Sequence, residues 1–263
     1  MARPNRTVRA HRACALAASL ALASCSSAPS ESAEGPDARA PGSAVFTVVL
    51  LRKGEAPPEL DPTQRDELSA GHFAFMADEA AAGRLLLTGP FGFEKAQEDL
   101  SGVFLFDMDD VDVALEVSLQ DPMTRAGVFR QEAMSLATLD VLRDLPAAER
   151  ARQERREAAG EDMSKLDLRS YVVLVADDGE RAVDVIAHPA LAPTVVLFGR
   201  LGPPRDGALF AVCAIEGARE ARARLAIANE AALAFEVSDW LATPALATLG
   251  GRQDAPPTMS PSK

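Results

Sequence analysis

Histidine and cysteine are scarce in this sequence, with three of each among 263 residues. A zinc site needs three or four His, Cys or acidic ligands at fitting spacing. Beyond the N-terminal region the histidines are His72 and His188, in separate parts of the chain, so no metal is expected. No cofactor is expected either. The sequence lacks a Gly-x-x-x-x-Gly-Lys-Ser/Thr loop and a Gly-x-Gly-x-x-Gly fingerprint, and it lacks a Gly-x-Ser-x-Gly elbow. Of the cysteines, Cys14 and Cys25 lie near the start, which leaves Cys213 without an intramolecular disulfide partner in a mature chain. Cys213 ends the apolar run of residues 208–213 and reads as a buried thiol. Basic charge is also short, with 27 Lys and Arg against 39 acidic residues and a net charge of −12. Nucleic-acid binding needs clustered Lys and Arg, and peripheral membrane binding needs a basic patch. Neither is expected here.

What the N-terminus does have is arginine without acid. Arg3, Arg6, Arg9 and Arg12 precede an alanine-rich apolar run over residues 13–23. That is the layout of a secretory signal, and the run is too short to span a bilayer, which takes about 20 apolar residues. Leu22-Ala23-Ser24-Cys25 matches the lipobox of bacterial lipoproteins. Residues 1–24 are therefore expected to be removed and Cys25 to carry lipid, with more than one acyl chain giving stable anchoring. The mature balance is then −16, from 23 basic against 39 acidic residues. The expected location is the cell envelope, with the membrane a partner through the lipid on Cys25. Ser26, where no aspartate follows the anchor, points to the periplasmic face of an outer membrane in bacteria that have one. Residues 25–43, rich in Ser, Ala, Pro and Gly, read as a flexible tether. Residues 250–263 read as a disordered tail.

Between tether and tail the pattern reads as α+β, in two similar units. In residues 44–141, a β-rich run over 45–51 is followed by Asp61-Pro62, an N-cap and a first helical proline. Leu68, His72, Phe75, Met76 and Glu79 recur at helical spacing, and Gly83 ends the helix. Strands are expected at 84–88, 102–106 and 127–134, with a turn at Gly89-Pro90-Phe91-Gly92. Asp109 or Asp110 caps a second helix running to about Gln120. The order is β-α-β-β-α-β, the ferredoxin-like plan. Residues 142–168, laced with opposite charges three or four apart, read as a solvated linker helix. Residues 169–249 repeat the plan, with strands at 171–175, 193–198, 207–213 and 232–237, a helix over 216–227, and Gly199-Arg200-Leu201-Gly202 mirroring the first glycine turn. The offsets are 125, 110 and 105 at the first three strands, so the residues missing from the second unit come mostly from its first helix and loops. One sheet face of such a unit needs covering, and two tandem units can cover each other as a pseudo-dimer within the chain.

The first unit resembles the YCII-related proteins. The resemblance rests on residues 46–54, on Gly71-His72-Phe73-Ala74-Phe75-Met76, on residues 82–91 ending in Gly89-Pro90-Phe91, on residues 102–106, and on Asp121-Pro122-Met123-Thr124-Arg125-Ala126-Gly127. It covers residues 45–140. It implies a ferredoxin-like α+β-barrel fold of the dimeric type, and a His–Asp pair in a pocket, here His72 and Asp121. Most such proteins look like enzymes without an assigned reaction, and one branch is associated with a dehydrochlorination, a proton-transfer elimination. The second unit departs from the pattern. The positions matching His72 and Asp121 are Ala182 and Ala226.

An aspartate bonded to one imidazole nitrogen fixes the tautomer and leaves the other nitrogen as a base. His72 and Asp121 would then serve elimination, isomerisation or hydrolysis of a small molecule. By spacing alone, His72 reads as a helix-surface histidine and Asp121 as a residue of a turn or of the end of the second helix. Arg52, at the end of the first strand, is a candidate for holding an anionic substrate, or else one of an exposed basic pair with Lys53. Gly89 and Pro90 are candidates for a pocket wall, after their role in a turn. Two functions stay open: a small-molecule enzyme, or a non-catalytic binding or scaffolding lipoprotein that keeps the fold.

Overall fold

The computed structural model describes residues 42–163, 165–229 and 232–252. The expected signal, Cys25, nearly all of the tether and residues 253–263 lie outside them. Among the described residues no helix is long and apolar enough to cross a membrane.

Strand β1 (Ser43–Lys53) grows from the run Val45 to Leu51. Its apolar residues are continuous because both faces are covered. Phe46 and Val48 join a core shared by both halves of the chain, while Val49 and Leu51 pack under helices. Asp61 starts helix α1 (Pro62–Ala81) through a reciprocal capping box with Gln64, satisfying two of the orphan donors of a helix start. Gly83, at φ 73°, takes the left-handed conformation that ends the helix. Strands β2 (Leu85–Pro90) and β3 (Leu100–Phe106) follow. Asp110, not Asp109, caps helix α2 (Val111–Ser118), accepting from the amides of Asp112 and Val113. A short helix α3 (Pro122–Arg125) precedes strand β4 (Phe129–Leu139).

The second half contains β5 (Arg169–Ala176), α5 (Gly179–Ala187), β6 (Val195–Leu201), β7 (Leu209–Cys213), α6 (Ala218–Ala228) and β8 (Glu236–Ala242). α5 has 9 residues against 20 in α1, which is where the second half is shorter. β8 starts four residues later than the expected strand at 232. Ala232 sits at φ 50°, a left-handed conformation that a strand does not admit.

The fold is mixed α+β with one antiparallel sheet of eight strands in the order β2-β3-β1-β4-β6-β7-β5-β8. Each half has the ferredoxin-like order, and the registers coincide. Thr47 pairs with Phe106 and Ser135, and Val172, 125 residues later, pairs with Cys213 and Asp239. The register shift after Leu85 recurs after Val195. The third-strand offset is therefore 107, not 105; a short apolar run slides by two residues without changing which face is apolar.

The two glycine segments read as turns are instead the places where the halves join. β2 continues through Gly89 and Pro90, paired with Val103 and Gly102. Phe91 then bridges to Trp240, and the Gly92 amide donates to the Asp239 carbonyl at 2.8 Å. At the other junction β6 runs through Leu201, which pairs with Leu136, and the Gly202 amide donates to the Ser135 carbonyl at 2.9 Å. A β-carbon on Gly89 would lie 1.8 Å from the Leu241 carbonyl oxygen, and one on Gly199 would lie 2.5 Å from that of Ala137. Glycine serves here for backbone approach.

Helix α4 (Leu145–Ala158) is shorter than the expected linker helix, entered by a 3-10 turn (Asp140–Asp144). It is also less solvated than its charges suggest. Leu142 and Leu145 are buried, and the helix packs on the closing 3-10 segment Pro244–Arg252. That segment takes in Gly250 and Gly251 from the expected tail. Glu149 accepts from Arg152, Gln153 and the Thr243 hydroxyl. Arg152 also pairs with Asp167.

Gly199→Ala should destabilise the protein by about 2 kcal/mol or more, because overpacking against fixed backbone forces strands apart; chemical denaturation measures this. The Glu149 carboxyl supplies a second expectation. Burial raises its pKa, but the donors Arg152, Thr243 and Gln153 outweigh burial and hold it below the ordinary 4.5. A depressed carboxylate stabilises above its unfolded pKa, and that stabilisation is lost as pH falls through the folded value. The stability gap between wild type and Glu149→Gln should therefore be largest near neutrality and shrink below about pH 4.5. Denaturation midpoints across that range test it.

Candidate functional site

Two elements that are distant in sequence bring His72 and Asp121 together. Gly71 lets α1 settle on α3: a β-carbon at Gly71 would stand 3.1 Å from the Pro122 ring. His72, the next residue, then reaches over the start of α3. Its Nδ1 lies 2.8 Å from Asp121 Oδ1. Asp121 is the N-cap of α3, with Pro122 at the first position, a placement that satisfies an orphan helix amide. Its carboxylate accepts from the Met123 amide at 3.3 Å and from the Thr124 hydroxyl at 3.1 Å. Asp121 is thus an N-cap and not the end of the second helix, which stops at Ser118.

The pair is enclosed unequally. The His72 side chain is 14% exposed and that of Asp121 is 0%. The imidazole stacks on Phe104 and meets Phe129 and Phe73 edge-on, all with centroids 5.8–5.9 Å away. A fully buried carboxylate is tolerated only when donors surround it, and all three of its neighbours can donate. With the proton on Nδ1 directed at Asp121, Nε2 carries the lone pair, which is the arrangement of a general base. Among the described residues no group of three or more potential metal ligands occurs.

Arg52 lies elsewhere. It is 6% exposed and lines a small cavity of about 20 Å³ between the two halves, together with Val48, Leu50, Arg205 and Glu236. Its Nε donates to Glu132 at 2.7 Å, and its Nη1 donates to Gln97 and Asp99 at 2.7 and 2.9 Å. This is a buried, partnered cation rather than an exposed basic residue, and its sheet face is opposite the one that carries His72. Two carboxylates already neutralise it, so it is not set up to hold a substrate anion. Gly89 accepts at its carbonyl from Trp240 Nε1 at 3.0 Å, and Pro90 is exposed. Neither lies with His72. Cys213 is 0% exposed, and burial pushes its thiol up to about 12. In the second half, Ala182 is fully buried. The corrected offset of 107 matches Asp121 with Ala228 instead of Ala226, again an alanine.

Sequence reading missed Gly71, Thr124 and Gln131. Gly71 had a signal, since a glycine inside a helix costs about 1 kcal/mol against alanine and implies a packing reason. Asp121-Pro122 had one too, as the N-cap and first position of a new helix. Gln131 had none.

Residues 45–138 match the family model of the YCII-related domain. No curated protein matches. Among solved structures the chain is similar to the crystal structure of a candidate chlorite dismutase, at 11% identity and a TM-score of 0.47, over 79% of this chain and 98% of that one.

Cys213 should stay unmodified by a thiol reagent in the native protein and react fully in denaturant. Mass spectrometry after timed labelling reads both states, and fast native labelling would contradict the burial.

Proposed function

We propose that the protein is an exported, lipid-anchored member of the cell envelope whose first half performs general acid–base chemistry on a small molecule. His72 is the base and acid, and Asp121 fixes its tautomer. The observation that carries this reading is the 2.8 Å contact between His72 Nδ1 and a fully buried Asp121, on a helix seated over the aromatic pair Phe104 and Phe129. A structural histidine does not need a carboxylate withdrawn from water to hold it, since such burial costs several kcal/mol unless it is compensated. The reaction class is elimination, isomerisation or hydrolysis, in which one nitrogen takes a proton and returns it. The first 24 residues direct export, and lipid on Cys25 ties the domain to the membrane, as the lipobox suggests. The two halves act as a pseudo-dimer within the chain. The matching registers, the β4–β6 pairing and the Phe91–Trp240 bridge support this reading, with the second half closing the structure around a chemistry-bearing first half.

A non-catalytic binding or scaffolding role is the second reading. It is favoured by the alanines that stand in the second half where the first has His72 and Asp121.

Histidine-selective ¹⁵N labelling separates the two, because the chain has three histidines. Titration with a panel of small phenols and carboxylic acids should move the His72 ring signals of the wild type, and any turnover found should vanish in His72→Gln. A panel that leaves His72 unmoved and yields no turnover would favour the non-catalytic role.

A further inference from the structure

Behind Asp121 runs a chain of hydrogen bonds whose direction is fixed at its far end. Gln131, on β4, places Nε2 3.0 Å from the Ser118 carbonyl and 2.9 Å from the Thr124 hydroxyl oxygen. A carbonyl oxygen can only accept. The amide group of Gln131 must therefore present its NH₂ on that side, since the reverse orientation would set two acceptors against each other. Both amide hydrogens are then committed, one to Ser118 and one to Thr124. Having accepted from Gln131, the Thr124 hydroxyl turns its own hydrogen to Asp121 Oδ2, 3.1 Å away. The Met123 amide donates to Oδ1, the oxygen that also faces His72 Nδ1. Each step from Ser118 to the Asp121 carboxylate allows one donor assignment, and an ionised carboxylate then accepts from Nδ1. Ser118 and Asp121 are both 0% exposed, so water does not compete for these groups.

We infer that Thr124 and Gln131 are positioning residues for His72. They hold the Asp121 carboxylate in the rotation that keeps a proton on Nδ1 and a bare lone pair on Nε2. The inference rests on the reading of His72 as the working group, but it concerns the resting tautomer and needs no substrate. Freed from Asp121, an imidazole in water favours the opposite tautomer, with the proton on Nε2. Loosening the carboxylate therefore moves the tautomer ratio in a known direction, whereas a merely structural role would lower stability and leave the ratio alone.

The test is ¹⁵N NMR of the full-length, histidine-labelled protein without ligand at about pH 9, where imidazole is neutral. The wild-type His72 signals should show a protonated Nδ1 and an unprotonated Nε2. Thr124→Val removes the hydroxyl at nearly constant volume and should shift the tautomer ratio toward Nε2–H about threefold or more, the equivalent of losing one net hydrogen bond. Thr124→Ser should restore the wild-type ratio. Gln131→Glu keeps the shape but replaces a donor with a carboxylate that captures the Thr124 hydrogen, so it should shift the ratio in the same direction. It also carries the test if Thr124→Val fails to fold. A folded Thr124→Val or Gln131→Glu protein with the wild-type ratio would overturn the inference. Substrate titration of the wild type reports separately on the acid–base reading, so the two can fail independently.

Discussion

The close approach of backbones at the two junctions is the constraint on which the rest of this structure depends. At each junction a strand end from one half meets the fourth strand of the other, and a glycine is the only residue that fits. The same amide-to-carbonyl bond is made at both, from Gly92 to Asp239 and from Gly202 to Ser135. Because the junctions match, the inner sheet faces meet around a single core that includes Phe46, Met134, Leu136, Tyr171, Phe210 and Trp240. Trp240 is 1% exposed and spends its indole N–H on Gly89, as a buried indole must. A sheet joined in this way pairs strand ends that would otherwise invite association with other chains.

That inner core divides the molecule's chemistry. Period-two alternation sends Phe46 and Val48 inward and Val49 and Leu51 toward the helices. Arg52, in register with the inward set, emerges at the end of the inner cavity. There Glu132, Asp99 and Gln97 hold it on one side, while Arg205 and Glu236 of the second half pair at 3.0 Å on the other. Removing one partner of a cation this buried would strand its charge, and that penalty exceeds what the pair gains. The polar residues at this end therefore read as a mutual closure of the two halves. His72 lies over the opposite sheet face, and its surroundings are aromatic rings and the start of α3.

Much of this was legible in the residues themselves. The Asp61 cap, the Gly83 stop, the ferredoxin-like order and the repeat were all readable, because caps and left-handed glycines are local and apolar runs are long. What failed was local chemistry that serves two ends. Gly89-Pro90-Phe91-Gly92 satisfies every sequence rule for a turn, but the same glycines also permit close approach, and only the partner strand decides between them. The offset slipped by two residues at β7 because the apolar run there offers no landmark. Arg52 looked exposed because its partners, Gln97 and Asp99 on one stretch of chain and Glu132 on another, are distant from it in sequence. The proximity of His72 and Asp121 was available only through the family resemblance. Spacing alone could not show that Gly71 and Pro122 touch.

The asymmetry between the halves has a physical basis. In the first half Gly71 of the long α1 admits α3, which creates a place for a buried carboxylate with three donors. In the second half the first helix is less than half as long, no counterpart of α3 occurs among the described residues, and Ala182, Ala221 and Ala228 fill the space between helix and sheet. Small apolar side chains pack there without any polar group to satisfy, which is the less costly arrangement for a core. Retaining His72, Asp121, Thr124 and Gln131 in the first half carries the opposite cost, an ionisable group withdrawn from water and a set of bonds that must all be made. A fold that has the simpler solution in one half and the demanding one in the other gains no stability from the difference, and the demanding half is where function is to be sought.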